Sequence, residues 1–411
     1  MHQPTGETAI AIDLGRHRTF CALGDADGQR LVPLSDKHDG LVLRWLTDRG
    51  SERVTERLLR LAGVDDDAAI DTALAVADAV FPELADGETL ATSPWVAIPP
   101  SFGPACRQAL LRGLAGGGVP IRGKHLIDRP IASLAGWLVS AEANDHMPSG
   151  MVLVIDNDGG QLSAAAADLD SKRLLFSVPL SIGPDDDIEE VGARLRVLVE
   201  EAHRLEASDE VVRLGDWRQI AASIEHVVLT GSASQHPRFV ELVEEVLPDA
   251  ALVGVRSVND QAHTVVFGLL NLGVLAGYTA CWPTGKILLD GVIIRSSGPV
   301  RGNDIDLDAR VGSTISFTGP DGDPLPVEIG CVQSSGLEVP SELCDDTRLR
   351  LLSDGRILVL GPAGVRPLSF RVRWPVSATD AVTLPVDVIG RRAVQLTDPK
   401  VALRRRATVG S

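Results

Sequence analysis

The chain has 411 residues, of which 44% are apolar and 23% charged, and its formal net charge is −17. That length leaves room for two to three domains with a sizeable core, and the balance is globular rather than disordered. The negative charge argues against duplex nucleic acid or an anionic membrane as the main partner, because the field of the whole protein repels phosphate.

The stretch "AIAIDLGRHRTFCAL", Ala9 to Leu23, alternates into an aspartate-glycine turn and then alternates again, so residues 9–35 read as two or three strands. From Gly40 to Val64 a strand or loop settles into a helix with leucines at three and four spacing. "DDDAAIDTALAVADAVFPEL" continues as helix, its aspartates suited to the first turn. "SPWVAIPPSFG" is a short apolar strand closed by prolines, and "PACRQALLRGLAGGG" a helix with proline at its start and glycines at its stop. "HLIDRPIASLAGWLVSAEA" reads as a strand end, a proline turn and a helix. Then "MVLVIDNDGGQLSAAAADLD" gives strand, glycine turn and strand, and "DDIEEVGARLRVLVEEAHRLEAS" an amphipathic helix. "IEHVVLTGSASQHPRFVELVEEVLP" is a buried strand, a small-residue loop and a helix. The order of strand, turn and strand followed by helices occurs twice, which predicts an α/β class with two similar halves.

Val265 to Trp282 is nearly uncharged and long enough to suggest a membrane span. Asn271, the glycines within it and the absence of a basic flank favour a buried core helix. After Trp282 the pattern becomes short alternating runs split by "GPDGDP", "SDGR" and "GPAGVRP", which predicts a separate all-β sandwich or barrel to about Arg392. The tail "KVALRRRATVGS" is basic and reads as frayed, with Thr408 a conceivable phosphorylation site beside its arginines.

The five cysteines form no CxxC pair and no metal-spaced cluster, so they read as reduced, buried thiols. The opening "MHQPTGETAI" lacks a charged-then-apolar signal pattern, which makes the cytoplasm the default. His203, His226 and His236 share no metal spacing and read as partly buried histidines, and Ser232 and Ser234 lie in no nucleophile elbow.

Two hairpins carry the chemistry. In "AIDLG" (Asp13, Gly15) and "VIDNDGG" (Asp156, Gly159, Gly160) an apolar strand delivers an aspartate to a glycine turn. Glycine lets backbone N–H groups approach an anion, and the carboxylate can hold magnesium through water. In corresponding places of two similar halves, such turns can grip a polyphosphate from both sides. "VVLTGSASQHP" is a third element, a strand running into a small-residue loop against which a flat ring can lie.

The collinear order of these segments resembles the actin-like ATPases, and within them the DnaK-type (70-kDa heat-shock) chaperones. "AIDLG" and "VLVIDNDGGQL" are similar to the two phosphate hairpins, and "LIDRPIASLAGWL" to the connecting motif "INEPTAAALAYG". "HVVLTGSASQHPRFVELV" resembles the adenosine motif, "VVFGLLNLGVLAG" the closing helix, and "KILLDGVI" the linker "VLLLDV". The resemblance covers roughly residues 8–295. It implies a two-lobed nucleotide-binding domain of ribonuclease-H-like halves over 1–282, with lobe I about 1–150 plus a closing helix 260–282 and lobe II about 151–259. A linker over 283–295, a β-rich domain over 296–395 and a tail over 396–411 would follow.

The resemblance also implies ATP or ADP with magnesium, and a β-domain that grips client polypeptide. It would put Asp13 and Asp156 near the metal, Gly15, Gly159 and Gly160 on the phosphates, and Gly231 and Ser232 by the adenosine. Glu200, His203 and Arg204 fall where the family has an adenosine-clamping helix.

Several positions depart from the family. Arg16 and His17 replace two threonines, and Arg129 replaces the glutamate of the connecting motif. Asp158, Gln161 and Ser163 replace a glycine, a threonine and an aspartate of the second hairpin, while Gln235 replaces an arginine that stacks on adenine. These changes disturb magnesium placement in particular. Arg16 or Arg129 could hold an uncleaved ATP by pairing with phosphate, although the commoner expectation for both is solvent or surface carboxylates.

The expected function is therefore a DnaK-like protein that binds ATP with weak or absent hydrolysis and couples it to protein binding. A scaffold that has lost nucleotide, and an active ATPase chaperone, are the alternatives; a sugar or acid kinase fits least. The shortened outer lobe makes an exchange-factor partner doubtful.

Overall fold

The computed structural model describes the chain apart from residues 1–8, 16–17, 26–27, 33, 35–43, 48–49, 81–92, 144–146, 159–160, 181–186, 207–216, 232–236, 255–257, 283–284, 296–304, 308–311, 320–322, 330–331, 335, 339–347, 352–355, 361–367, 372, 377–381, 385–394 and 397–411. It is mixed α/β and divides into two compact units. The first comprises Met1–Ser171, Phe176–Ala207 and Val212–Ala276; the second comprises Lys172–Leu175, Ser208–Val211 and Gly277–Ser411.

The first unit opens with β1 (Ala9–Leu14), β2 (Thr19–Asp25) and β3 (Gly28–Val32), followed by the hairpin of β4 (Arg44–Thr47) and β5 (Gly50–Arg53). Helices α1 (Val54–Leu61) and α2 (Asp66–Val80), strand β6 (Trp95–Ile98), helix α3 (Pro104–Gly116), strand β7 (Leu126–Asp128) and helix α4 (Arg129–Ala143) complete this half. Its sheet runs β3-β2-β1-β6-β7. β1 is antiparallel to β2 and parallel to β6, which is parallel to β7.

The second half has β8 (Met151–Asp158), β9 (Gln161–Asp168), β10 (Arg173–Pro179), α5 (Ile188–Glu206), α6 (Trp217–Ala221), β11 (Ile224–Gly231), α7 (Pro237–Val246), β12 (Ala251–Gly254) and α8 (Val258–Leu270). These strands run β10-β9-β8-β11-β12. Again the first is antiparallel to the second and parallel to the fourth, which is parallel to the fifth. Counted within each five-stranded set, with the separate β4-β5 hairpin left out, the strand order is the same.

Alternation along β1 decides what each face of the first sheet meets, because successive side chains point to opposite sides. Ile10, Ile12 and Leu14 pack with Leu58 of α1, Val76 of α2 and Leu110 of α3. Ala11 lies in a second cluster with Ala22, Ala97, Ala132 of α4 and Val265, Val266 and Leu269 of α8. Asp13 belongs by periodicity to this alanine-lined face, where small side chains let helices come close.

Helices α4 and α8 meet through glycines. A Cβ on Gly136 would stand 2.5 Å from the Thr264 carbonyl oxygen, and one on Gly268 would stand 1.9 Å from that of Ala132.

The apolar stretch expected as one helix from residue 260 to 282 is interrupted. α8 stops at Leu270, a 3-10 turn covers Leu272–Leu275, and a short strand follows at Thr279–Ala280. Asn271 ends the helix by donating from Nδ2 to the Phe267 carbonyl (2.7 Å), and Gly277 takes φ 80, a left-handed conformation that suits glycine. Among the described residues no helix is long and apolar enough to cross a membrane.

In the second unit, Arg173 and Leu174 pair in parallel with Thr279 and Ala280, which pair antiparallel with Pro375 and Trp374. "KILLDGVIIR", the stretch similar to a linker, is a hairpin of Lys286–Leu289 and Val292–Arg295 turning on Asp290 (φ 50) and Gly291 (φ 80). The Asp290 carboxylate holds this turn by accepting from the Thr314 amide and the Ser313 hydroxyl, each at 2.7 Å. Lys286–Leu289 pairs antiparallel with Ile315–Thr318, where Phe317 meets Trp374 edge to face at 5.3 Å. After Gly277 the described residues form strands and no helix.

Candidate functional site

The parallel strands β1, β6 and β7 of the first half, and β8 and β11 of the second, place the site. Asp13 is level with Ala97 of β6, and Asp156 with Thr230 of β11, near the carboxyl ends where α/β sheets bind ligands. Helix α4 starts directly after β7, so its first residue, Arg129, stands beside both aspartates.

Arg129 is buried and bridges the two hairpins. Nη1 donates to Asp13 Oδ1, Nε donates to Asp156 Oδ2 at 2.9 Å, and Nη2 lies 3.4 Å from Asp156 Oδ1. Asp158 Oδ2 lies 3.8 Å from Nε. The side chains of Arg129, Asp13 and Asp156 are 7%, 1% and 0% exposed, so water does little to screen these pairs. Thr230 donates its hydroxyl to Asp156 Oδ1 (3.1 Å) and lies 3.2 Å from the Ser133 hydroxyl of α4, which fixes the carboxylate between β8, β11 and α4.

Gly15 closes the cluster. A Cβ there would lie 2.9 Å from Arg129 Nη1, 2.9 Å from Asp158 Oδ1 and 2.5 Å from the Arg18 carbonyl oxygen. A side chain would crowd the Arg18 carbonyl of its own hairpin and displace the ends of Arg129 and Asp158.

Three carboxylates face one guanidinium. Burial pushes the Asp13 carboxyl up to about 7; Arg129 pulls it down, while Asp158 and Asp156 raise it further. Its Oδ2 is buried without a hydrogen-bond partner. Burial disfavours the Arg129 cation, but Asp13, Asp156 and Asp158 outweigh it and hold the guanidinium firmly protonated.

Arg129 therefore departs from the expectation of solvent or surface carboxylates: its partners are buried and belong to the two aspartate hairpins. Arg129 occupies Asp13 Oδ1 and Asp156 Oδ2, two of the oxygens expected near a metal, and leaves Asp13 Oδ2 without a partner. Beside the cluster lies a cleft of about 120 Å³ bordered by Pro99, Pro100, Ser101, Arg129, Asp158 and Gln161. Taken by itself, a cleft of that size suits a few waters or a small molecule.

Of the residues singled out in the sequence, Asp13, Gly15 and Asp156 come together here. Gly231 ends β11 with φ 63, and a Cβ would be 2.2 Å from the Asn157 carbonyl oxygen, which accounts for glycine by strand packing alone. Glu200 lies half-buried on α5, a helix that packs on α6 and α7. Arg16, His17, Gly159, Gly160, Ser232, Gln235, Thr408 and the side chain of Arg204 lie outside the described residues.

Sequence reasoning missed Ser133 and Thr230, which lie inside the segments resembling the connecting and adenosine motifs but whose hydroxyls carry no signal of their own. It also missed that Arg107 of α3 pairs with Asp128 at the end of β7 and donates from Nε to the Phe102 carbonyl (2.8 Å), tying the prolyl turn beside the cleft to the strand that delivers Arg129.

No family model matches the chain, and no curated protein matches it.

Proposed function

We propose that the chain is a DnaK-like protein of actin-type fold that has given up magnesium-dependent ATP turnover and acts as a protein-binding scaffold. The observation that carries this reading is the position of Arg129, whose guanidinium takes Asp13 Oδ1 and Asp156 Oδ2, oxygens that a hydrated magnesium would otherwise approach. The repeated strand order and the matching places of Asp13 and Asp156 support descent from a two-lobed nucleotide domain. Binding of client polypeptide falls in this reading to the β-rich second unit.

Calorimetric titration of ATP into the full-length protein, with and without magnesium, tests it alongside a phosphate-release assay. A ligand present at a hundred times its Kd stabilises a fold by about 2.7 kcal/mol, which a melting curve resolves easily. The expected result is no heat, no change in Tm and no phosphate release. Magnesium-dependent binding or turnover would overturn the reading, and metal-independent binding would replace the scaffold with a protein that holds ATP uncleaved.

A further inference from the structure

We infer that Arg129 is a built-in clamp that keeps the two aspartate hairpins together without any nucleotide, so that the shut arrangement is the resting state of the first unit. This rests on the reading above in one respect, that the two hairpins correspond to the phosphate hairpins of a nucleotide domain.

The fork of the guanidinium is what makes one residue sufficient. Nη1 reaches β1 through Asp13, while Nε and Nη2 reach β8 through Asp156. A point-like ammonium cannot present separated donors in one plane to two strands, so lysine is not equivalent here. Among the described residues, Arg129 is the only cation paired with Asp13 or Asp156.

The strands also approach each other beside the clamp, where a Cβ on Gly15 would be 2.9 Å from an oxygen of Asp158. The clamp is also mounted rigidly. Arg129 begins α4, α4 is locked to α8 by the contacts at Gly136 and Gly268, and Ser133 one turn along meets Thr230, which holds Asp156.

Electrostatics gives the clamp its strength. Removing the cation from a buried cluster leaves Asp156 without its counter-charge, and separation of the hairpins would return it to water. In an ATPase of this fold a diffusible ligand supplies cationic charge and can leave. Here the charge is covalently attached to the chain, and the shut state persists at any nucleotide concentration.

Hydrogen exchange followed by mass spectrometry on the full-length protein, with no nucleotide present, tests the clamp. In the wild type, peptides covering residues 10–22 and 151–165 are expected to be protected to a similar degree. In Arg129→Ala both should lose about a hundredfold of that protection together, while β11 and α3 stay protected. Arg129→Lys, which keeps the charge and is milder for folding, should lose protection in at least one hairpin. Rapid exchange of either hairpin in the wild type would overturn the clamp. So would unchanged protection of both hairpins in Arg129→Lys, or in a folded Arg129→Ala. ATP binding by the wild type would refute the scaffold without altering these results, so the two readings fail separately.

Discussion

The proton held by Asp13 predicts an unusual dependence of stability on pH. Its carboxyl is pushed from 3.8 up to about 7, chiefly by burial. Between those values the native state holds a proton that the unfolded chain has released. Stability must then fall as pH rises from about 4 through 7, and level off above, because unfolding is favoured wherever the unfolded state binds fewer protons. About three pKa units at 1.36 kcal/mol each amount to roughly 4 kcal/mol across the window. Asp13→Asn removes the titration while its amide oxygen can still accept from Arg129 Nη1. Its amide nitrogen takes the place of a buried, unpartnered Oδ2, and that penalty is the same at every pH. The slope is therefore the diagnostic quantity, and any constant offset is not. Urea unfolding followed by helical circular dichroism, which reports on the helix-bearing first unit, should be run on both proteins from pH 4.5 to 8.5. The variant should gain on the wild type by several kcal/mol as pH rises. Parallel curves, or a wild type that becomes relatively more stable between pH 5 and 7, would refute the burial of a protonated Asp13.

Three further outcomes follow from other contacts. Arg129→Gln leaves Asp13, Asp156 and Asp158 without their cation, so 10 mM magnesium should raise its Tm by several degrees and leave that of the wild type unchanged; equal shifts would place the metal effect elsewhere. Gly268→Ala should destabilise despite a gain in helix propensity of about 1 kcal/mol, because its Cβ would meet the Ala132 carbonyl oxygen at 1.9 Å, and overpacking against backbone costs about 1–3 kcal/mol or more. Equilibrium unfolding showing a more stable variant would mean that α4 and α8 part easily. Cys21 and Cys106 are buried, and burial pushes each thiol up to about 12, so a thiol reagent at pH 8 should label them only in denaturant.

Much of the fold was legible because it is local. Strand alternation into aspartate and glycine marked both hairpins, and β1 with β2 and β8 with β9 pair as that pattern requires. Proline at the start of α3 and glycine after it marked that helix, which spans Pro104–Gly116. The closing helix was read too long because apolar composition alone does not stop at Leu270; the stop comes from Asn271 and the glycines beyond it. The hairpin at 286–295 shows the same limit in another form. "KILLDG" resembles a linker as text, while its Asp-Gly pair, with both residues at positive φ, is equally a turn signal.

The site was legible in its carboxylates and opaque in its cation. Asp13 and Asp156 announce themselves because each interrupts an apolar strand just before a glycine turn. Arg129 interrupts an apolar run as well, between "LID" and "PIASLAGWL", yet an arginine is ordinarily read as exposed. What makes it a buried bridge is the meeting of three segments far apart in the chain, and no local pattern encodes that meeting. A charge flanked on both sides by segments that must be buried is nonetheless informative. It has to find its counter-charge inside, and Asp13 and Asp156 lie at the ends of the strands that the same helix covers. Glycine at position 15 follows from the same constraint: once Arg129 and Asp158 occupy the space before it, no side chain fits.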